Sequence, residues 1–297
     1  MNIFVTGATG YVGRFIVQEL VKKGHNAYCL VREKNLQQIT RHEQIYPIFG
    51  DVTRPETLNM KECEAVIHLV AIIRENHFRN ITFERLNFQA TKNVMDATIG
   101  RGIKRFIHMS ALGASPDALT PYLRTKGRAQ QIVEQSGLEY TIFRPSFIFG
   151  PGDAVYGQLA KMMRMSPFGL FPVFGTGEYR HQPVSVLDVS AAFVRALTDK
   201  KTRKRIYDVG GPEILSYNRQ LEVIGNIVGK RIKKIHIAMG LSRLMVGVTA
   251  WLPFSPIDLD QLKMLTCDNI CKEDSFQRAF GPNLLSFEEG LEYLSSS

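Results

Sequence analysis

Ile3-Phe4-Val5-Thr6-Gly7-Ala8-Thr9-Gly10-Tyr11-Val12-Gly13 is the stretch whose reading decides the fold. A short apolar run ends at Thr6, and glycines follow at Gly7, Gly10 and Gly13. Arg14–Lys23 then reads as an amphipathic helix, with Phe15, Ile16, Leu20 and Val21 available for its buried side. A glycine turn between a buried strand and a helix leaves backbone N–H groups directed outward at the helix N-terminus, where a phosphate can sit. The three glycines have separate tasks: a tight turn, close approach to a pyrophosphate, and close packing of helix on strand. Gly7, Thr9, Gly10, Tyr11 and Val12 are therefore the expected phosphate cradle.

The spacing is G-x-x-G-x-x-G rather than G-x-G-x-x-G, and it resembles the short-chain dehydrogenase/reductase superfamily, chiefly its extended and atypical branches. Downstream, Ala27–Arg32 reads as a second strand. An acidic residue at its end suits a ribose 2′-hydroxyl and an arginine suits a 2′-phosphate, so Arg32 favours NADP(H) over NAD(H). Gln44–Phe49 reads as a third strand, followed by Gly50-Asp51-Val52. The resemblance implies that Asp51, with Val52, lies against the adenine. Glu64–Val70 reads as a fourth strand whose end, Leu69-Val70-Ala71, matches the small-residue turn that the family packs on the cofactor. His68 within it reads as a packed histidine. Asn87–Val94 opens a helix in the manner of the extended branch, which places Asn87 at the cofactor, and Arg105–Ser110 is a fifth strand. Tyr140–Pro145 is a sixth, leading to Ser146–Gly152. By resemblance Pro145 and Ile148 carry the chain past the nicotinamide. Alternating strands and helices predict an α/β fold with a doubly wound parallel sheet, the Rossmann arrangement. The expected division is a dinucleotide-binding domain over 1–150 and a smaller, discontinuous α+β lobe over 151–297, with a return strand near 181–187. Asp188 reads as the N-cap of a helix Val189–Thr198. Ile206–Gly211 reads as a strand and Tyr217–Val228 as a helix.

Tyr122 and Lys126 stand four apart on a helix expected to begin near Thr120 or Pro121, so they share a face. The resemblance makes this Tyr-x-x-x-Lys pair the active-site signature, with the tyrosine as acid or base and the lysine on the nicotinamide ribose. A neighbouring cation stabilises a phenolate, so Lys126 is expected to lower the pKa of Tyr122. The family also places a Ser or Thr just after strand five. Here the strand ends in Ser110, the usual hydroxyl position aligns with Leu112, and only a short loop separates Ser110 from Tyr122. Ser110 is the candidate for the third catalytic member, with Ser115 and Thr120 left open as alternatives. His108-Met109-Ser110, that loop, Tyr122-Leu123-Arg124-x-Lys126 and Arg144-Pro145-Ser146-x-Ile148-Phe149-Gly150 together resemble one atypical group. It includes the NAD(P)H-binding accessory subunit of respiratory complex I and its bacterial relatives, and has a branch linked to quinone metabolism. Gln182-Pro183-Val184-x-Val186-x-Asp188-Val189 extends the likeness into the lobe.

The 297 residues, 44% hydrophobic and 22% charged, suit a globular chain with a large core. Cys29, Cys63, Cys267 and Cys271 form no disulfide framework. The last two have no second pair nearby, so neither a zinc site nor an oxidising compartment is expected. With a strand expected to begin at residue 2 or 3, no signal peptide is expected. The net charge of +9 is uneven: Asp199–Met245 holds eleven Lys/Arg against four Asp/Glu, and Asp258–Tyr293 three against eight. Lys200–Arg205 and Lys230–Lys234 could attract anionic surfaces, or read as solvated helix ends and loops. Nothing resembles a nucleic-acid module. Ile235–Pro256 is apolar and follows a basic cluster, but it is too interrupted to span a bilayer. It reads as a packing helix of the lobe or as a helix lying on a membrane surface.

Three functions follow. The first is an NADP(H)-binding accessory or assembly factor of a respiratory or quinone-related membrane complex, on the cytoplasmic or organelle-matrix side. The second is an active NADP-dependent oxidoreductase or epimerase using Tyr122. The third is an NADP(H) redox sensor.

Overall fold

The computed structural model describes residues 1–249 and 257–296. The chain divides into two compact units, Met1–Pro145 with Val186–Asp208, and Ser146–Ser185 with Val209–Ser297.

The first unit is built on strands β1 (Asn2–Thr6), β2 (Asn26–Val31), β3 (Ile45–Phe49), β4 (Ala65–His68), β5 (Arg105–Met109) and β6 (Glu139–Pro145). These six pair in parallel. Strand β11 (Arg205–Val209) joins at the far edge, giving the order β11-β6-β5-β4-β1-β2-β3. The order reverses between β1 and β4, the crevice where doubly wound sheets bind ligands. Helices α1 (Tyr11–Lys22) and α5 (Val186–Thr198) pack side by side. Helices α2 (Ala90–Gly100) and α3 (Pro121–Gln135) form a second pair. Side chains alternate across a strand, so the even-numbered row Phe4, Val66 and Phe106 meets Val94 and Val133 of α2 and α3 in one buried cluster. The edge is pinned by a buried cation: the Arg105 guanidinium donates to the Glu139 and Ala196 carbonyls and to the Thr141 and Thr202 hydroxyls.

The second unit carries β7 (Ile148–Phe149), α4 (Tyr156–Met165), β8 (Leu170–Phe174), β9 (Arg180–His181) and β10 (Val184–Ser185). After β11 come β12 (Leu215–Ser216), α6 (Tyr217–Ile227), β13 (Lys233–Ile237), α7 (Met239–Thr249), α8 (Leu259–Leu265) and α9 (Ser275–Phe280). Three two-stranded ladders, β7 with β10, β8 with β13 and β9 with β12, surround a core containing Phe149, Tyr156, Phe171, Leu221, Ile224 and Phe287.

Several local expectations shift. Helix α1 starts at Tyr11, not Arg14, because Gly10 is already extended at φ −75°, ψ 170°; Gly13 therefore lies inside the helix. Helix α5 starts at Val186, so Asp188 sits in its first turn, where its charge favours the helix dipole, and does not form the N-cap. Residues 180–185 form two short strands of the second unit, and the chain returns to the first unit through 186–208. The basic run at Lys230–Lys234, expected as solvated loop, enters β13 and pairs in parallel with β8. The end of the apolar segment, Ala250–Pro256 with Trp251, lies outside the described residues.

Candidate functional site

The glycine turn is shaped by backbone crowding. Gly7 has φ +77°, a conformation that favours glycine. A Cβ there would stand 3.2 Å from the Leu69 backbone and from the Val70 nitrogen, so the turn nests against the end of β4. The Gly10 N–H donates to the Gly7 carbonyl at 2.9 Å, closing the turn. A Cβ on Gly13 would lie 2.1 Å from that same carbonyl oxygen and 2.9 Å from the Ala8 Cα. Helix α1 thus abuts the turn it follows. Its N-terminus has no side-chain cap and no acidic residue in the first turn. The positive helix end is therefore left to an anion, and a Cβ on Gly7 or Gly13 would crowd the backbone that shapes the turn. These residues fit a dinucleotide pyrophosphate.

Around it, Arg32 is exposed immediately after β2. Asp51 sits in a tight turn, its Oδ1 accepting from the Thr53 N–H at 2.9 Å and the Thr53 hydroxyl at 2.8 Å. Burial alone would raise the Asp51 pKa. The Thr53 hydrogen bonds, with the charges of Arg32 and Arg85, outweigh it and hold the carboxyl below its ordinary value. Val52 is buried, and its carbonyl accepts from Asn93 Nδ2 at 2.9 Å. On the other flank, Leu69 is buried and Val70 and Ala71 are half-buried. The loop they begin is held by Asn87, whose Oδ1 accepts from the Ile72 N–H at 2.8 Å and whose Nδ2 donates to the Ile72 carbonyl at 3.2 Å. Asn87 lies in a π-helical stretch, Glu84–Gln89, that leads into α2. Its amide also donates to the Thr125 hydroxyl at 3.5 Å, so it ties this loop to α3. Sequence reasoning passed over Asn93, which likewise holds the backbone at Val52. The only signal was an asparagine inside a helix, where an amide without a partner is costly.

Helix α3 starts as expected. Thr120 caps it, accepting from the Leu123 N–H at 3.3 Å, and Pro121 occupies the first position. Tyr122 packs edge-on against Phe83 with ring centroids 5.9 Å apart. One turn on, Lys126 is almost wholly buried, its Nζ donating to the Met109 carbonyl at 2.5 Å. The expected lowering of the tyrosine pKa does not occur. Burial pushes Tyr122 up to about 12 and Lys126 down to about 7, because each loses hydration; the bond to the Met109 carbonyl favours the ammonium and offsets that loss only in part. Ser110 is buried at the end of β5 with its hydroxyl lacking a hydrogen-bond partner among the described residues, and Leu112 is buried two residues on. Pro145 ends β6 in the first unit, accepting from the Leu112 N–H at 3.0 Å, whereas Ile148 belongs to β7 in the second.

Residues 3–210 match the NAD dependent epimerase/dehydratase family. The chain belongs to that family. It is 30% identical over 293 residues to the mitochondrial NADH dehydrogenase [ubiquinone] 1 alpha subcomplex subunit 9 of Arabidopsis thaliana, covering 92% of this chain and 71% of the relative. It is 24% identical to the photosystem II assembly factor Ycf39 of Synechocystis, covering 88% and 78%. Among solved structures it resembles the UDP-glucose 4-epimerase of Thermotoga maritima, with a TM-score of 0.78, 19% identity and coverage of 100% and 98%. That last likeness is one of fold. The second-unit ladders and the seven-stranded sheet accordingly follow an epimerase-type plan.

This member of the family places two histidines in register on the sheet, His68 beside His108, with ring centroids 5.4 Å apart and planes 11° from parallel. His68 is the packed residue expected, bonded to Thr6 Oγ1 at 2.7 Å and Thr91 Oγ1 at 3.0 Å. Both rings are held neutral, first by burial and then by the charge of Lys126; His68 falls to about 3 and His108 well below its ordinary value. The unfolded chain binds protons on both near pH 6.5 and the folded chain does not. Stability is therefore unaffected by these groups above pH 6.5 and is lost as the pH falls below it. The slope approaches ~2.7 kcal/mol per pH unit for two protons. Urea titrations between pH 7 and pH 4 should show this fall, and a His68→Gln/His108→Gln chain should have a flatter profile; equal slopes would refute the assignment.

Proposed function

We propose that the first unit binds a nicotinamide dinucleotide, NADP(H) in preference to NAD(H). In this reading the chain serves as an accessory or assembly factor of a respiratory or quinone-related membrane complex, peripheral to the membrane on its cytoplasmic or organelle-matrix side. One contrast carries the reading: the phosphate cradle is complete, while the reactive centre has Leu112 where the orienting hydroxyl is expected. The likeness to a complex I subunit and to an assembly factor supports the accessory role. When bound, the nucleotide would supply hydride chemistry. The chain's own residues hold its pyrophosphate at Gly7–Gly13, pair Arg32 with the 2′-phosphate and place the adenine against Asp51 and Val52. Tyr122, Lys126 and Ser110 face the ribose and nicotinamide end.

Native purification followed by release of the bound nucleotide tests this. NADP(H) should be recovered in near-stoichiometric amount and exchange slowly, with a membrane-complex partner co-purifying under mild detergent. Arg32→Ala should weaken NADPH about 10- to 100-fold, the loss of a charge-assisted bond, and leave NADH unchanged. Equal losses for both nucleotides would remove the NADP preference. The shared helical face of Tyr122 and Lys126 favours a second reading, turnover with Tyr122 as acid or base. Fast nucleotide exchange, together with hydride transfer that Tyr122→Phe abolishes, would establish that reading in place of the first.

A further inference from the structure

The second unit carries a surface on which apolar side chains and cations are exposed together, built by segments that contain no carboxylates. Two sequence segments build it. Residues 154–177 contain no Asp or Glu, and neither do residues 230–257, which hold Lys230, Arg231, Lys233, Lys234 and Arg243. The fold joins these segments: β8 and β13 pair with Leu170 opposite Lys233 and Pro172 opposite Ile235. The turn before β8 sits against the other segment's backbone, since a Cβ on Gly169 would lie 2.3 Å from the Arg231 carbonyl oxygen. At the tip of that turn Phe168 is 88% exposed, and Leu170 and Ile235 are exposed on the ladder.

Ala238 alone separates β13 from α7, and α7 turns apolar side chains outward. It buries Ser242 and Val246, whereas Leu241, Leu244 and Val248 are exposed, Leu244 at 63%. Positions 241, 244 and 248 are spaced as one stripe of a helix. An outward apolar stripe is unfavourable in water and favourable in a bilayer interface. Lys234 is paired with Glu222 at 2.7 Å. Lys230, Arg231, Lys233 and Arg243 are exposed and have no ion pair among the described residues.

We propose that this face of the second unit, the Phe168 turn, the β8–β13 ladder and α7, rests on an anionic lipid surface, with the apolar side chains entering the headgroup boundary and the cations meeting lipid phosphates. One-signed charge selects an anionic partner, and the exposed Phe and Leu side chains select a lipid over a nucleic acid. The inference deepens the accessory reading by naming what the protein rests on, and it is independent of the nucleotide site.

Flotation of the full chain with vesicles separates the two. Binding should occur on phosphatidylcholine vesicles containing phosphatidylglycerol, be much weaker on phosphatidylcholine alone, and fall as salt is raised. Arg231→Gln with Lys233→Gln should weaken it about thirtyfold, at about fivefold per cation. Phe168→Ser, at an exposed tip where misfolding is not expected, should weaken it about tenfold. NADPH affinity, read on the same preparations, should not change. The proposal is overturned by failure to bind either vesicle, by equal binding to both, or by variants that bind like the parent. It is equally overturned by a concentration-dependent dimer that Leu244→Ser dissolves, or retention on duplex DNA, when vesicle binding is absent. Loss of nucleotide binding with vesicle binding intact would count against the nucleotide reading alone.

Discussion

Gly13→Ala is expected to cost about 3 kcal/mol of folding stability and to abolish nucleotide binding. The added methyl would stand 2.1 Å from the Gly7 carbonyl oxygen and 2.9 Å from the Ala8 Cα. Both neighbours are backbone, so no side chain can rotate away. Relief requires α1 to move off the turn, which pulls the helix N-terminus from the place where a pyrophosphate would lie. Gly100→Ala is the control. It ends α2 with nothing within 4 Å of the added methyl, and should gain up to about 1 kcal/mol from helix propensity. Urea unfolding with nucleotide titration checks both. If the two substitutions behave alike, close packing at Gly13 is not what fixes the cradle.

Lys126→Met should raise stability while weakening the nucleotide. The ammonium is 1% exposed, and burial brings its pKa from 10.5 to about 7. A base whose folded pKa is depressed destabilises the fold most fully at and below the folded value. The penalty shrinks as the pH rises from 7 and ends above 10.5, where the unfolded chain is neutral as well. Methionine fills similar space without a charge, and such replacements of buried charge typically gain about 1–4 kcal/mol. The gain should be largest near neutrality and fade by pH 10.5. A residue kept at a cost in stability is expected where function needs it, and NADPH affinity should drop in the same variant. A Lys126→Met chain that is less stable at pH 7 would show that the Met109 bond outweighs desolvation.

Much of the first unit was legible because its signals are local. The glycine spacing, the alternation of strand and helix, and the cap-and-proline start at Thr120-Pro121 each depend on a few neighbouring residues. His68 was legible as a packed residue for the same reason, lying in a short apolar strand. The second unit was less readable. Strand β13 runs Lys233-Lys234-Ile235-His236-Ile237, half-exposed and basic, and it is a strand only because β8, more than fifty residues earlier, supplies its hydrogen bonds. Helix α5 began two residues before the expected cap, since its start is set by the exit from β10 at Ser185.

By itself the sequence determined the doubly wound α/β fold, the glycine turn at Gly7–Gly13 and the helix that carries Tyr122 and Lys126, because strand, turn and helix propensities act over a few residues. The tertiary structure alone decided the electrostatics and the surface. That burial costs Lys126 affinity for its proton, that Asn87 and Asn93 hold backbone groups of distant loops, and that α7 turns its apolar stripe outward all depend on which distant elements exclude water. These contacts join elements far apart in the chain, and no local pattern encodes them.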